Sequence, residues 1–222
     1  MALPIEEAQH CVRVLRLRQG NVIQLTDGEG VIYDATLTDV SPKQCLLHID
    51  REQRVERGWS GYIHIAVAPT KLMERNEWFV EKAVEFGVDE ISFIKSDHSE
   101  RDVIKTERIR KVAIAAMKQS QKAYLPKIND MVSFKSILGV DADERFIAHC
   151  ATEAEKPMLH TIATPNSRTI VLIGPEGDFS PGEIATARNS GFSGVSLGPS
   201  RLRTETAALS AVHIMWIKKL NI

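Results

Sequence analysis

Hydrophobic positions change their spacing twice along the chain. Between residues 6 and 17, Val12, Val14, Leu15 and Leu17 stand among Arg13, Arg16 and Arg18, which predicts a short helix ending near Gly20. Residues 20–50 then shift to β-type runs. Segments 21–26, 31–39 and 45–49 are separated by Asp27-Gly28-Glu29-Gly30 and by Ser41-Pro42-Lys43. Short strands joined by such turn residues imply a small antiparallel sheet or barrel. The charged stretch 50–57, closed by Gly58-Trp59, reads as a linker.

From residue 62 onward, strand and helix patterns alternate. Strands are expected over 62–68, 90–95, 145–150, 169–173 and 194–197, and helices over 71–86, 103–124, 181–189 and about 205–220. The 71–86 helix carries Leu72, Phe79, Ala83 and Phe86 at helical spacing and stops at Gly87. This alternation predicts a mainly parallel α/β sheet. We therefore divide the chain into domains 1–60 and 61–222. The final helix is apolar on most faces, with Leu209, Val212, Ile214, Met215, Trp216 and Ile217. That exceeds what one sheet face needs, and a homodimer interface is expected.

At 222 residues and 43% hydrophobic, the chain can bury a sizeable core. Lys plus Arg number 28 against 29 Asp plus Glu, which excludes a uniformly basic coat or a polyacidic tail. The near-zero sum hides a local excess: segment 101–127 holds eight basic and two acidic residues. Lys111, Lys118 and Lys122 fall at i, i+7 and i+11, one expected stripe of the 103–124 helix. Such a stripe is either a solvated face or an RNA contact. Cys11, Cys45 and Cys150 lie far apart with no CxxC spacing, which argues against a disulfide framework or a zinc site and favours a reducing cytoplasm. No apolar run approaches the roughly 18 residues of a membrane helix, and the first residues lack signal-peptide character. His10-Cys11 and His149-Cys150 have no supporting ligand spacing, so core packing is expected of them and no metal. His98, near Ser96 and Ser99, forms no recognisable nucleophile arrangement. Met117, Met131 and Met158 read as core filling.

The sharpest local feature is the strand 169–173 running into Gly174-Pro175-Glu176-Gly177-Asp178-Phe179-Ser180-Pro181-Gly182-Glu183. Ser180 as N-cap, Pro181 at N1 and Glu183 at N3 predict a capping box. A loop of this kind sits at the carboxyl end of a parallel strand, where α/β sheets bind ligands. Gly174 and Gly177 would admit close backbone approach, although a tight strand-to-helix connection has the same composition. A phosphate P-loop would need Lys-Ser/Thr after the last glycine, and none follows; a GxGxxG fingerprint is also absent. A second loop, 197–203, repeats the pattern before Thr204-Glu205-Thr206-Ala207. Lying on consecutive strands, the two loops are expected side by side around a cleft. Arg203 there offers a permanent cation with a planar fork of donors, suited to phosphate or to negative charge on a base, or it pairs with Glu205 or Glu176.

These two runs, Ile173 to Ser180 and Leu197 to Ala207, closely resemble the signature of the ribosomal RNA small subunit methyltransferase E family of the SPOUT superfamily. Other stretches resemble the same family: His10 to Arg16 with Gly20; Lys71 with Glu81-Lys82-Ala83, Glu85 and Gly87; Ser99-Glu100-Arg101; and Gln119-Ser120 through Pro126. The resemblance implies a PUA-like β-barrel that grips RNA, followed by a SPOUT α/β domain with a deep trefoil knot. It implies S-adenosyl-L-methionine as cofactor, a homodimer, and methylation of N3 of a uridine in 16S ribosomal RNA, naked or in the assembled small subunit. Carried onto this chain, the cofactor loops are 173–178 and 197–207, with a third at 149–152. Ile173, Gly174, Pro175, Glu176, Gly177, Leu197, Gly198, Leu202, Thr206 and Ala207 are the implied cofactor contacts. Arg203 would stabilise the charge that spreads onto uracil O2 and O4 when N3 loses its proton. Glu205 would orient Arg203 or accept that proton. RNA contacts are expected from Arg13, Arg16, Arg101, Lys111, Lys118 and Lys122. The chain departs from the family pattern in having nine residues before His10, so a barrel short of its first strand is expected. Lys118 also stands where many members carry Glu, and Lys122 where many carry Arg. The competing readings are a knotted methyltransferase acting on a ribose or on tRNA, a non-catalytic RNA-binding assembly factor, and a phosphate-binding metabolic enzyme.

Overall fold

The computed structural model describes residues 1–151 and 156–221. The chain divides into two compact units, Met1–Arg57 and Gly58–Ile222.

In the first unit, helix α1 (Ile5–Arg13) precedes an antiparallel sheet of β1 (Val22–Thr26), β2 (Val31–Val40) and β3 (Cys45–Arg54), in the order β1-β2-β3. Ala8 and Cys11, three apart on one helix face, join Leu3, Ala35, Leu37, Cys45 and Leu47 in a small core. The helix ends four residues earlier than the sequence pattern suggests. Val14 and Leu15 are exposed, Arg16 takes a left-handed φ of 54°, and the amides of Leu15 and Leu17 close back onto the His10 and Cys11 carbonyls. In the β1–β2 turn, Asp27 Oδ1 accepts the Glu29 and Val31 amides at 2.7 and 3.1 Å.

One expectation changes here. Residues 50–54 are not linker but the outer half of β3, with Arg51 to Arg54 opposite Val31 to Asp34. Charged side chains signal solvent on both sides of that ribbon, which does not prevent backbone pairing. The three strands pair in the order β1-β2-β3 as an antiparallel sheet. Residues 1–3 extend it beyond β3: the Leu3 amide bonds to the Cys45 carbonyl at 2.9 Å and the Leu47 amide to the Met1 carbonyl at 3.0 Å.

The second unit is a parallel α/β sheet in the order β10-β8-β9-β4-β5-β6, with β7 also pairing to β5. Its strands are β4 (Tyr62–Val67), β5 (Glu90–Lys95), β6 (Lys127–Ile128), β7 (Val132–Ser133), β8 (Glu144–Ala148), β9 (Arg168–Ile173) and β10 (Ser193–Val195). The helices are α2 (Met73–Phe86), α3 (Thr106–Gln119), α4 (Phe134–Ile137), α5 (Leu159–Ile162), α6 (Pro181–Asn189) and α7 (Thr204–Lys219). Alternate residues of the central strands feed two cores. Ile63, Ile65, Val171 and Ile173 pack with α2, α3 and α7, while Ala66, Ile170 and Leu172 pack with α4 and α6. A sheet covered on both faces demands near-continuous apolar strands, as β9 shows. No described helix is long and apolar enough to cross a membrane.

Two polar devices hold this unit. Lys219, in the last turn of α7, is 0% exposed, and its ammonium donates to the carbonyls of Thr164, Pro165 and Ser167 and to Ser167 Oγ at 2.7–3.1 Å. Near the amino ends of β4 and β5, the buried Glu90 carboxylate accepts from Tyr62, Lys127, Asn129 and Arg168 at 2.6–3.2 Å. His64, 1% exposed, sits 2.8 Å from Ser92 Oγ and 4.0 Å from Glu90. Burial lowers the His64 imidazole to about 4. Desolvation pushes Glu90 upward, but the His64 ring and the hydrogen bonds from Asn129, Lys127 and Tyr62 outweigh it and hold the carboxyl at about 2.

Both shifts make the unit acid-sensitive. As pH falls from 6.5 to about 4, an unfolded histidine takes a proton that folded His64 refuses, so stability drops by up to roughly 3 kcal/mol. Glu90 extends the loss from 4.5 toward 2. His64→Gln should therefore flatten the pH dependence between 6.5 and 4, read as urea unfolding midpoints of variant and wild type across that window.

Candidate functional site

The carboxyl ends of β8, β9 and β10 surround a cavity of about 820 Å³. Ala148 to Cys150 and Lys156 line it from the β8 side, Ile173 to Asp178 from β9, and Val195 to Thr204 with Ala207 from β10 and the start of α7. The two glycine loops line one cleft as expected, but the strands they follow, consecutive in sequence, are not paired with each other. Strand β8 lies between β9 and β10, and its own loop, 149–151, occupies the middle of the site.

Each loop is fixed by chemistry outside it. The capping box at α6 forms as predicted: Ser180 Oγ accepts the Glu183 amide at 3.2 Å, and Glu183 Oε2 accepts the Ser180 amide at 2.9 Å. The cap is tied to the end of β5, because Ser180 Oγ donates to Asp97 Oδ2 at 2.6 Å and the Asp97 amide donates to Glu183 Oε1 at 2.9 Å. His98 Nδ1 lies 3.2 and 3.0 Å from the carbonyls of Gly177 and Asp178, which puts the ring proton on that nitrogen. Glu176 Oε1 accepts the Lys71 amide at 3.2 Å. Lys156 Nζ holds the carbonyls of His149 and Ala151, at 2.5 and 3.0 Å. Ser196 exchanges two backbone hydrogen bonds with Pro157 and Leu159. Gly198 has a φ of +139°, and a Cβ there would meet nothing within 4 Å among the described residues.

Nine of the ten expected cofactor contacts, Ile173, Gly174, Pro175, Glu176, Gly177, Leu197, Gly198, Leu202 and Ala207, line the cavity, as does Arg203. The tenth, Thr206, does not. With Glu205 it faces a separate hollow of about 260 Å³, shared with Glu74, Arg75 and Trp78 of α2. Glu205 is buried, with Oε1 3.7 Å from Arg75 Nε and Oε2 lacking a hydrogen-bond partner among the described residues. The expected Arg203–Glu205 partnership is replaced by an Arg75–Glu205 pair. Successive residues of a helical first turn point in different directions, so 203 and 207 share a side that 205 and 206 do not. Arg203 is exposed at the cavity rim, and no ion pair among the described residues involves it. The third expected loop reaches Thr152, which lies outside the described residues.

The basic positions separate similarly. Lys111 and Lys118 are exposed on α3. Lys122 is not on that helix, which ends at Gln119; it is half-buried, its ammonium 5.7 Å from the Trp59 ring centroid, and desolvation lowers its pKa. Arg101 donates to the carbonyls of Thr70 and Lys71, bracing the loop after β4. Arg13 and Arg16 are exposed on the smaller unit. The two His-Cys pairs are only half core: Cys11 and His149 are buried, whereas His10 and Cys150 are exposed. The sequence shows no nucleophile arrangement at His98 and gives Lys156 and Asp178 no individual role, because their contacts are with loops distant in sequence.

Residues 59–216 match the model of the RNA methyltransferase domain, and residues 3–50 that of the RNA methyltransferase PUA domain. A crystal structure described as a probable rRNA-methyltransferase from Porphyromonas gingivalis superposes with a TM-score of 0.92 at 42% identity, covering 98% of this chain and 93% of that one. The ribosomal RNA small subunit methyltransferase E of Neisseria gonorrhoeae, bound to S-adenosyl methionine, gives a TM-score of 0.88 at 26% identity over 98% and 91% of the two chains. The protein of that name from Bacillus subtilis is 27% identical over 93% of this chain and 86% of its own length.

Because Ser180 caps α6 and also bonds Asp97, Ser180→Ala should cost about 1–2 kcal/mol. Guanidinium unfolding of variant and wild type at neutral pH measures that loss.

Proposed function

The chain belongs to the RNA methyltransferase family, and from that membership we propose that it methylates N3 of a uridine in 16S ribosomal RNA with S-adenosyl-L-methionine as methyl donor. The observation that carries this reading is the cavity built from three strand-end loops. Its volume falls within the roughly 300–1,000 Å³ typical of cofactor pockets. Ile173, Leu197, Leu202 and Ala207 offer an apolar wall for an adenine ring, and the Gly174, Gly177 and Gly198 backbone offers polar groups to read its edge. The cofactor, when bound, supplies a methyl group on a sulfonium, a transfer that needs alignment and neither metal nor covalent enzyme intermediate.

The protein's own task is then to make uridine N3 nucleophilic. Its proton must leave, and the resulting charge spreads onto O2 and O4. Arg203, exposed at the cavity rim and permanently charged, is suited to stabilise that anion. Glu205 stands apart from this chemistry beside Arg75.

The finer architecture of the proposal is a trefoil knot, in which the 196–203 segment passes the 157–159 segment to which Ser196 is bonded. A homodimer would cover the α2–α7 face, where Leu72, Trp78 and Ile217 are 51%, 42% and 53% exposed and where Glu205 Oε2 would gain a partner. Domain 1–60 grips RNA through Arg13 and Arg16, and domain 61–222 adds Arg101, Lys111 and Lys118. The half-buried Lys122 is left out of this surface. The enzyme works in the cytoplasm on 16S RNA or on the small subunit containing it.

Nucleoside mass spectrometry of unmodified small subunits incubated with protein and cofactor should reveal new 3-methyluridine; its absence, or a methyl group on another nucleoside, overturns the assignment. Arg203→Ala should lower turnover by two to three orders of magnitude, with cofactor affinity by calorimetry changed only a few-fold. Lys111→Gln with Lys118→Gln should weaken RNA binding and reduce its salt dependence, seen in titrations at several salt concentrations.

A further inference from the structure

The run from Gly174 to Glu183 has a reason at nearly every position: two glycines for close approach, a capping serine, a proline at N1 and a glutamate at N3. Asp178 has none of these roles, and it adopts a φ of 63°, left-handed backbone that few residues other than glycine tolerate, with Asp and Asn foremost among those that do. A glycine would hold that turn without strain. The side chain therefore needs its own explanation.

Both carboxylate oxygens are in use. Oδ1 accepts the amide of Phe179 at 2.8 Å, which orients the group within its own turn. Oδ2 accepts the amide of Cys150 at 2.7 Å, across to the loop that follows β8. These are short, charge-assisted bonds of the stronger kind. The Asp178 backbone is itself anchored, since His98 Nδ1 donates to the Gly177 and Asp178 carbonyls and the Asp178 amide bonds to the Pro175 carbonyl at 3.0 Å. A rigid chain of contacts thus runs from the end of β5 through His98 and Asp178 to Cys150. The β8 loop sits between the other two loops of the cavity, and Lys156 grips it through the carbonyls on either side of Cys150.

We propose that Asp178 is a positioning residue that latches the β8 loop onto the β9 loop, fixing the width of the cavity and so its affinity for S-adenosyl-L-methionine. The link to affinity rests on the proposed function; the latch itself rests on the geometry alone. A different explanation is electrostatic: an anionic carboxylate lining the cavity would attract a cationic sulfonium directly. The two differ in what a neutral acceptor can do. Asparagine tolerates the left-handed backbone and keeps one oxygen, which can accept the Cys150 amide if the local bond to the Phe179 amide is given up, whereas glycine keeps only the backbone.

Asp178→Gly and Asp178→Asn in the full chain separate these alternatives. Hydrogen exchange of the Cys150 amide, measured without cofactor, should speed up by at least roughly tenfold in Asp178→Gly, the ratio carried by one such hydrogen bond, and should stay near the wild-type rate in Asp178→Asn. Calorimetric Kd for S-adenosyl-L-methionine should rise about tenfold in Asp178→Gly and be largely restored in Asp178→Asn, with KM for the cofactor affected more than kcat. Unchanged exchange at Cys150 in Asp178→Gly overturns the latch. An Asp178→Asn variant that binds cofactor as weakly as Asp178→Gly while protecting Cys150 overturns its role in affinity in favour of charge. A wild-type protein giving no binding heat overturns the cofactor reading, and the exchange experiment still decides the latch.

Discussion

A parallel sheet buried on both faces has no room for ligand chemistry along its strands. In the larger unit, Ile63, Ile65, Val171 and Ile173 are committed to one apolar cluster and Ala66, Ile170 and Leu172 to the other, so polar function is pushed to the strand ends. The two ends solve the resulting problem differently. At the amino ends of β4 and β5, Glu90, Asn129, Ser92 and His64 are linked by side-chain hydrogen bonds. At the carboxyl ends of β8, β9 and β10, the loops leave backbone around a cavity, and their shape is fixed from behind by side chains of other loops. One end is filled by side chains bonded to each other, and the other leaves a cavity.

What could be read from the sequence is what local spacing controls. The capping box at Ser180, Pro181 and Glu183 needs only four consecutive residues and a proline in its favoured slot, and it forms as expected. The stop of α2 at Gly87 is equally local, and the structure adds its tertiary reason: a Cβ there would lie 2.8 Å from the Trp59 ring. Strand order is not local. The insertion of β8 between β9 and β10 depends on how crossovers pack, so the two glycine loops frame one cleft without their strands being paired. Lys122 was assigned to a stripe by extending a helical period past residue 119, where the helix has already ended and Gln121 has turned left-handed. Charge was misleading in one further place. The charged run 50–54 is strand because its side chains face water while its backbone pairs with β2. Lys219 is wholly buried because four oxygens surround its ammonium.

The first turn of α7 shows how closely two tasks can lie. Arg203, Thr204 and Ala207 look into the cavity, while Glu205 and Thr206 look toward α2. A run that reads as one motif in sequence thus serves two surfaces of the molecule, and a rotation of that turn would disturb both. Burial of Glu205 beside Arg75 ties the helix start to α2 and steadies the arginine that precedes it in the chain.

The far end of the same helix has a consequence of a different kind. The Lys219 carbonyl accepts the Ser60 amide at 2.7 Å, and the Asn221 amide bonds to the Gly58 carbonyl at 3.2 Å, so the first and last residues of the larger unit lie side by side. Its chain begins and finishes at one seam, next to the 164–167 turn that Lys219 clasps. A short peptide could join residue 221 to residue 58 and let the unit be reopened in a surface loop elsewhere, a circular permutation that preserves every strand pairing. Removing the last few residues, by contrast, would take away the clasp and the edge of the seam together.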